Sequence, residues 1–401
     1  MIKNNSLYAL IACIWLLPFA SVQFLPFGIP LYPLEIGLLV SSPFWFTGKV
    51  INVFKAPASR KVAWFAAALL GGLLISYIVH PKTPAGLGQI KSFFFMPVVF
   101  WFGVTPILGD PRHRRRVLWH LRQMFLLAAI FALISGFLHG LTYDHRLNAW
   151  FDSPNLLAIF LVPGVILWGI HVFSGEKIRI ADMSSWVIVS GTLFLTQSYG
   201  ALGAVFIALV SFLWISRGYL SWKRLFLKVT IISLLLIVGC TFWSGEEEVK
   251  KWNSLVHVDG RSSLSSREMI WHSAIRMIQD SPFTGIGPGR FQSVYLEYQR
   301  FYPPYLEWAV PHPHNLFLAL WLSSGIIGVS ASIGLCVFLF RSLREIPRKK
   351  ERALMTALFL GVFVSGLSDV PYFRAEFCFI FWLELALFSG IFLKENQNSI
   401  R

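Results

Sequence analysis

The chain has 401 residues, 55% of them hydrophobic, 16% aromatic and only 14% charged. A soluble domain carries about 25% charged residues, so this composition, with a mean hydropathy of +0.61, excludes an ordinary soluble enzyme and points to a chain that lives mainly in a bilayer. The net charge of +15 does not signal a nucleic-acid partner, because much of the basic charge sits in short loops between apolar runs, where it orients a membrane protein.

Apolar runs near the ~20 residues needed to cross a bilayer recur at 6–24, 29–51, 62–80, 92–108, 117–139, 154–174, 184–198, 200–216, 224–243, 314–340, 353–369 and 375–393. The first follows Met1-Ile2-Lys3 with no small-residue cleavage site, and reads as a retained helix rather than a removed signal peptide. The seventh and eighth are separated only by QSYGA, so that pair could be one bent helix. The expected fold class is an all-α polytopic membrane protein of about twelve transmembrane helices. It divides into spans one to nine (1–243), a hydrophilic loop (244–313), and spans ten to twelve with the C-terminus (314–401). Basic residues cluster in alternate loops, among them Lys55, Arg60 and Lys61, then Arg112 to Arg116, then Arg341 to Arg352. That alternation puts these loops and both termini in the cytoplasm. Cys13, Cys240, Cys336 and Cys378 fall in or beside apolar runs, lack metal-ligand spacing, and read as packing residues.

The 244–313 loop is the only hydrophilic stretch long enough to fold by itself. In SSREMIWHSAIRMIQ, Ser265 and Glu268 have the spacing of a capping box. Ile270, Ala274, Met277 and Ile278 then recur at helical spacing. DSPFTGIGPG stops this helix with proline and glycine. A second helix follows, with Phe291, Val294, Tyr295, Tyr298 and Phe301 expected on one face. GIGPG lacks a following Lys-Ser/Thr and a preceding strand, so it reads as a turn and not a nucleotide loop. The run Glu246 to Glu248 reads as solvated loop, and no Asp-x-Asp pair is present to hold a metal on a nucleotide-sugar diphosphate.

Polar residues gather at span ends that the topology places on the outer side: YDHRLNAWFDSPNLLA (143–158), LTQSYGALGA (195–204), the loop, and SDVPYFRAEF (368–377). Ionisable groups at membrane depth are costly and default to functional candidates. His314 opens span ten. A ring near a helix N-terminus is kept neutral by the dipole and can accept a proton, as a general base for a hydroxyl must; alternatively His314 and Asn315 cap the helix. His312, between two prolines, reads as a supporting loop residue, and the two histidines lack a third metal ligand nearby in sequence, so no metal is expected. Arg267, placed in the first turn of the outer helix, opposes the helix dipole and so reads as serving a partner. Its guanidinium suits phosphate oxygens, as does that of Arg261; solvated surface or lipid headgroups are the plainer reading. Arg146, Arg276, Arg290 and Arg374 belong to the same outward set, Arg146 foremost because it precedes SPNLLA, which carries Asn155.

Four stretches in this order, RLNAWFDSPNLLAIFL, LTQSYGALGAV, SSREMIWHSAIRMIQDSPFTGIGPGRF and HPHNLFLALWLSSGIIG, make the chain resemble the bacterial O-antigen ligase and O-antigen polymerase superfamily. The resemblance implies a glycosyltransferase-C-like helix bundle in the bacterial inner membrane. It further implies a metal-independent, cofactor-free enzyme that takes a glycan from undecaprenyl diphosphate on the periplasmic side. The acceptor would be lipid A-core for a ligase, or another lipid-linked glycan for a polymerase; a lipid-linked glycan transporter is the rival reading. The family's essential histidine falls on His314 and its loop arginine on Arg267. Where the family usually reads Ser-Arg-Gly, this chain reads Ser198-Tyr199-Gly200. The charge expected against the donor diphosphate is therefore missing at Tyr199: either Arg146, Arg261 or Arg290 replaces it, or the donor is held differently, or activity is weak.

Overall fold

The computed structural model describes residues 2–20, 31–46, 50–174, 179–217, 263–302 and 310–399, together with Val22 and Phe24. Among them, regular structure is helical apart from one isolated bridge between Phe24 and Leu31. In chain order the helices are α1 (Ile2–Leu16), α2 (Pro33–Trp45), α3 (Pro57–Val79), α4 (Pro84–Gln89), α5 (Met96–Leu108), α6 (Pro111–His139), α7 (Pro154–Ser174), α8 (Ile180–Leu195), α9 (Tyr199–Ser216), α10 (Ser263–Asp280), α11 (Phe291–Tyr298), α12 (Leu316–Ser342), α13 (Lys349–Ser368) and α14 (Ala375–Ser399). A π-helix, Ile90–Phe95, joins α4 to α5 without a break. Eight helices among the described residues are long and apolar enough to cross a membrane, and the stretches Asn5–Phe19 and Ile180–Leu195 add shorter apolar helices. The chain is thus a polytopic helical membrane protein. The expected span at 224–243, Cys240, Glu246 to Glu248 and Arg261 lie outside the described residues.

Local chemistry sets where these helices begin. α2, α3, α4, α6 and α7 each open on a proline, whose fixed φ suits a first helical turn and whose missing N–H would have no partner there. Thr83 and Asp110 cap α4 and α6 by accepting from the backbone N–H of Gly86 and Arg112. α8 and α9 are two helices and not one bent one: Thr196 to Ser198 interrupt them, and Gln197 takes a left-handed φ of 50°. α7 and α14 are the most enclosed of the spans.

The two ends of the bundle differ in chemistry. At one end the Arg114 guanidinium donates to Leu108 O and Gly390 O and pairs with Glu351 at 3.0 Å, tying α6 to α13 and α14. The other end carries the polar clusters and is called the outer end below. Here Lys91, in the π-helix, reaches Glu35 of α2 at 2.7 Å. Glu35 is fully buried, its second carboxylate oxygen lacks a partner, and Tyr32 N–H donates to the first. Breaking a buried pair by removing one member costs about 3–5 kcal/mol, while removing both can be nearly neutral. Lys91→Met should therefore sharply lower the folded protein recovered from membranes. The Lys91→Met, Glu35→Leu double variant should recover much of it, as read by the detergent-extracted monomer peak; equal yields for both would contradict the pairing.

The outer helices have a small core of their own, with Met269, Ile270, Ala274, Met277, Ile278, Ile286, Tyr295 and Val310 packed on Leu322 of α12. The expected face of α10 is buried as read from its spacing. Two details differ. α10 begins at Ser263, so Ser265 lies inside the helix and is not its cap, and Arg267 sits in the second turn. α11 ends at Tyr298 and passes into a 3-10 turn, which turns Phe301 out to 58% exposure.

The PFTGIGPG turn explains the glycines on both sides of it. α12 is broken at Gly325, where φ is 64° and ψ −167°. A broken helix leaves backbone donors and acceptors without partners, and at membrane depth these must be satisfied. The turn supplies them: Ile286 N–H donates to Leu322 O at 2.8 Å, and Ile326 N–H donates to Phe283 O at 3.1 Å. A Cβ on Gly285 would run into Leu322 O, and one on Gly325 into Phe283 O. The same turn is fastened to α3, since Ser76 Oγ donates to Thr284 O at 2.6 Å. Gly72 and Gly328 let α3 and α12 approach closely, a Cβ on Gly72 falling 2.8 Å from Gly328 N.

Candidate active site

The break in α12 and the turn wedged into it position the segment just before α12. Asn315 is the N-cap of α12, its side-chain oxygen accepting from Phe317 N–H at 3.0 Å and Leu318 N–H at 3.1 Å. Its amide nitrogen donates to Leu367 O at 3.2 Å, joining α12 to the end of α13. Capping is therefore the work of Asn315, and His314 lies one residue outside the helix. The backbone of His314 is left-handed, φ 48°, a conformation that costs a non-glycine residue about 1–3 kcal/mol and persists only where the surroundings impose it. Trp271 of α10 does part of that, its indole N–H donating to Pro313 O at 3.0 Å. His145, Ala149 and Gln197 also have positive φ, all in outer-end loops. Strain in the described residues thus collects where the polar groups collect.

The left-handed turn aims His314 at Asp369, the residue that ends α13. Nδ1 lies 3.1 Å from Asp369 Oδ1. Asp369 is 6% exposed and also accepts from Val370 N–H at 2.9 Å. Burial pushes its carboxyl up, but the hydrogen bond and charge of His314, the charge of His312 and the Val370 N–H outweigh this and hold it at about 2. An ionised carboxylate only accepts, so the proton of His314 sits on Nδ1 and Nε2 is left as the basic nitrogen. The sequence-based expectation placed His314 under the helix dipole alone; the fold adds a carboxylate partner 55 residues away.

His312 packs its ring edge-on to that of His314, centroids 4.7 Å apart. Its Nδ1 is enclosed without a hydrogen-bond partner, and burial followed by the charge of His314 pushes the imidazole down to about 4. His312, His314 and Asp369 each bring one ligating atom within 4.8 Å of the others. Sequence spacing offers only the two histidines, whereas the fold supplies Asp369 as a third group able to ligate a metal. Two imidazoles and a carboxylate are a donor set that suits zinc.

The arginines divide. Arg146 is half-buried beneath the turn between α8 and α9: its Nε donates to Thr196 O at 2.7 Å, its Nη2 to Asn155 Oδ1 at 2.5 Å, and its Nη1 lies 3.6 Å from Asp144 Oδ2. Burial lowers the pKa of Arg146, Asp144 raises it, and the positive charge of Arg267 lowers it further. Arg146 and Arg267, 121 positions apart in the chain, are thus brought close enough by the fold for the charge of one to act on the other. No ion pair engages Arg267 among the described residues. Tyr199 opens α9 and is 40% exposed. Gly200, beside it, is pressed against the Ser368 hydroxyl, next to Asp369. The turn before α9, to which Arg146 is bonded, thus approaches the end of α13, where Asp369 pairs with His314. Arg290 lies elsewhere: it donates to Ile286 O within the glycine turn, and its charge, after burial, lowers His80. Arg374 is tied up with Asp152 at 2.6 Å and Glu376 at 2.8 Å, and Arg276 pairs with Asp280 on the surface of α10.

Asp369 was not legible as an individual residue, although the polar cluster at 368–377 pointed to its segment. Glu35 and Lys91 gave a fainter signal, Glu35 as the one acidic residue in the apolar run 29–51 and Lys91 as a charge at the edge of the run 92–108. No curated protein matches the chain. Residues 184–333 match the family model described as O-antigen ligase, a stretch that takes in Tyr199, Arg267, the glycine turn, His312, His314 and the break in α12. The match covers 150 of the 401 residues, and over that stretch the chain is similar to the O-antigen ligases, enzymes that carry out glycosyltransferase-like reactions on lipid-linked glycans.

Proposed function

We propose that the protein is an O-antigen ligase that transfers a glycan from undecaprenyl diphosphate to a hydroxyl of lipid A-core, at the periplasmic face of the bacterial inner membrane. The observation that carries this reading is the His314–Asp369 pair at the outer end, 3.1 Å apart. The acceptor hydroxyl gives its proton to Nε2 of His314 while its oxygen forms the new bond to the anomeric carbon. The bond from that carbon to the diphosphate breaks, and the electron pair leaves on the phosphate oxygen. Asp369 stabilises the imidazolium as it forms. A single base opposite the leaving group gives inversion. Arg267 and Arg146 offset the charge that grows on the leaving diphosphate. The bond being broken supplies the driving force, so the scheme needs neither a cofactor nor a metal.

Arg146 is the replacement for the arginine that Tyr199 displaces. It sits under the turn that leads into Tyr199, and its three contacts fix the guanidinium while leaving N–H groups for phosphate. Lysine keeps the charge and loses the planar fork. Transfer, measured as glycan-bearing lipopolysaccharide per cell, should accordingly fall most in Arg267→Ala, partly in Arg267→Lys and to an intermediate degree in Arg146→Ala. Tyr199→Arg should restore activity to Arg146→Ala. A silent Arg146→Ala would move the second cation to Arg261, since Arg290 is engaged in the glycine turn.

A repeat-unit polymerase of the same chemistry is the alternative reading, since a polymerase differs only in its acceptor. The banding of lipopolysaccharide from a deletion strain separates the two. Loss of all glycan chains from the core supports the ligase, core bearing a single repeat supports the polymerase, and unchanged banding removes both.

A further inference from the structure

A cavity of about 270 Å³ opens beside His312, between the π-helix, the glycine turn and the segment before α12, with His314 behind the His312 ring and not in the cavity wall. Its walls include the rings of Phe93, Phe291 and Phe373, the side-chain amides of Gln89 and Gln292, and the ring of His312. No described lining residue is charged. Aromatic faces with a few amide groups suit a ligand that is apolar on its ring faces and rich in hydroxyls at its edges. The volume is at the small end for ligand pockets, which begin near ~300 Å³, and fits one or two sugar rings rather than a lipid. Its position decides which sugar enters. The cavity borders on His312, whose ring is 4.7 Å from that of the base, whereas the guanidinium of Arg146 is bound to the α8–α9 turn and to Asn155 at the start of α7, none of which lines the cavity.

We infer that this cavity is the acceptor subsite: it holds an uncharged sugar ring of the acceptor and presents one of its hydroxyls to His314. The inference rests on the glycan-transfer reading and adds to it which part of the substrate goes where, and that the sugar receiving the glycan carries no charge. Gln89, in the last turn of α4, is 9% exposed and selects for hydroxyls. Phe373 offers a stacking face.

Binding is tested independently of transfer. The full-length protein in lipid nanodiscs is exposed to the methyl glycosides of glucose, galactose, heptose and N-acetylglucosamine, with methyl glucuronide as the charged comparison, and saturation-transfer difference NMR is recorded. At least one neutral glycoside should give a signal and the glucuronide none. Gln89→Leu removes hydrogen bonding at nearly constant volume and should weaken that signal about tenfold, the loss expected for one hydrogen bond of ~1.4 kcal/mol. Phe373→Leu should weaken it too. Silence from every neutral glycoside, or a signal untouched by both substitutions, overturns the subsite. In a transfer assay, Gln89→Leu should raise KM for the acceptor and leave KM for the donor unchanged; a rise for the donor alone would assign the cavity to the donor's sugar and overturn the inference. If wild-type protein binds the neutral glycoside in a Gln89-dependent way and still transfers no glycan, the transfer reading fails and the sugar site stands.

Discussion

His314→Asn abolishes glycan transfer while the protein stays in the membrane at its normal level. Loss of a general base removes about 10²–10⁴-fold of the rate, enough to erase glycan-bearing lipopolysaccharide from a gel. Asparagine is the informative replacement because, unlike alanine, it tolerates the left-handed φ of 48° that this position imposes. Its amide can still donate to Asp369. His314→Ala should be equally inactive and somewhat less abundant, since it loses the contact and strains the backbone. Asp369→Asn should reduce transfer without changing abundance, because the amide no longer fixes the Nδ1–H tautomer or stabilises the imidazolium. The pH dependence follows from the direction of the carboxyl shift. Asp369, held at about 2, is depressed relative to an unfolded aspartate, so its contribution to stability is present above pH ~4 and is lost only as pH falls through about 2. Activity should therefore show no loss assignable to Asp369 between pH 5 and 8. Full transfer by His314→Asn would remove the base from the scheme, and disappearance of the protein would turn the His314–Asp369 contact into a structural one.

Gly325→Val should remove the protein from the membrane. The added side chain would occupy the place of the Phe283 carbonyl, in a backbone region that β-branched residues do not enter. The clash also severs the reciprocal Ile286–Leu322 and Ile326–Phe283 hydrogen bonds that satisfy the backbone where α12 is broken. The combined cost is several kcal/mol, comparable with a whole domain's stability of about 5–15 kcal/mol. Gly285→Val should behave in the same way from the other side of the joint. Gly71→Ala is the control: nothing lies within 4 Å of a Cβ there, and an interior helix position gains about 1 kcal/mol from the change. Membrane abundance read by immunoblot, with thermal unfolding of the extracted protein, distinguishes the three. A stable Gly325→Val would mean that the turn does not hold α12 open.

What could be read from sequence and what could not follow the range of the forces involved. Periodicity and length are local, so most of the spans and the buried face of α10 were legible, whereas the run at 29–51 forms only the 13-residue helix Pro33–Trp45 and the run at 224–243 lies outside the described residues. The break of α12 was not: SSGIIG reads as a helix interior with two packing glycines, and Gly325 departs from it only because Phe283 and Ile286, some forty residues earlier, offer better partners for its backbone. His314 could be singled out by type and position, but its partner is fixed by the packing of α12 on α13, which no spacing encodes. The capping box at Ser265 failed because Ser263 begins the helix one half-turn sooner. Arg146 was chosen for its neighbours in sequence, and its contacts with Thr196 and Asn155 give that choice a geometric reason.

The central claim, that this chain alone moves a glycan from a polyprenyl diphosphate to a hydroxyl through His314, is tested most directly by reconstitution. Purified protein in liposomes is given a polyprenyl-diphosphate-linked oligosaccharide and lipid A-core, and free polyprenyl diphosphate and glycan-bearing lipid A-core are quantified by mass spectrometry. The prediction is equimolar appearance of both products with wild-type protein and neither with His314→Asn. Wild-type protein that releases no polyprenyl diphosphate, or a His314→Asn variant that releases it at the wild-type rate, would contradict the account.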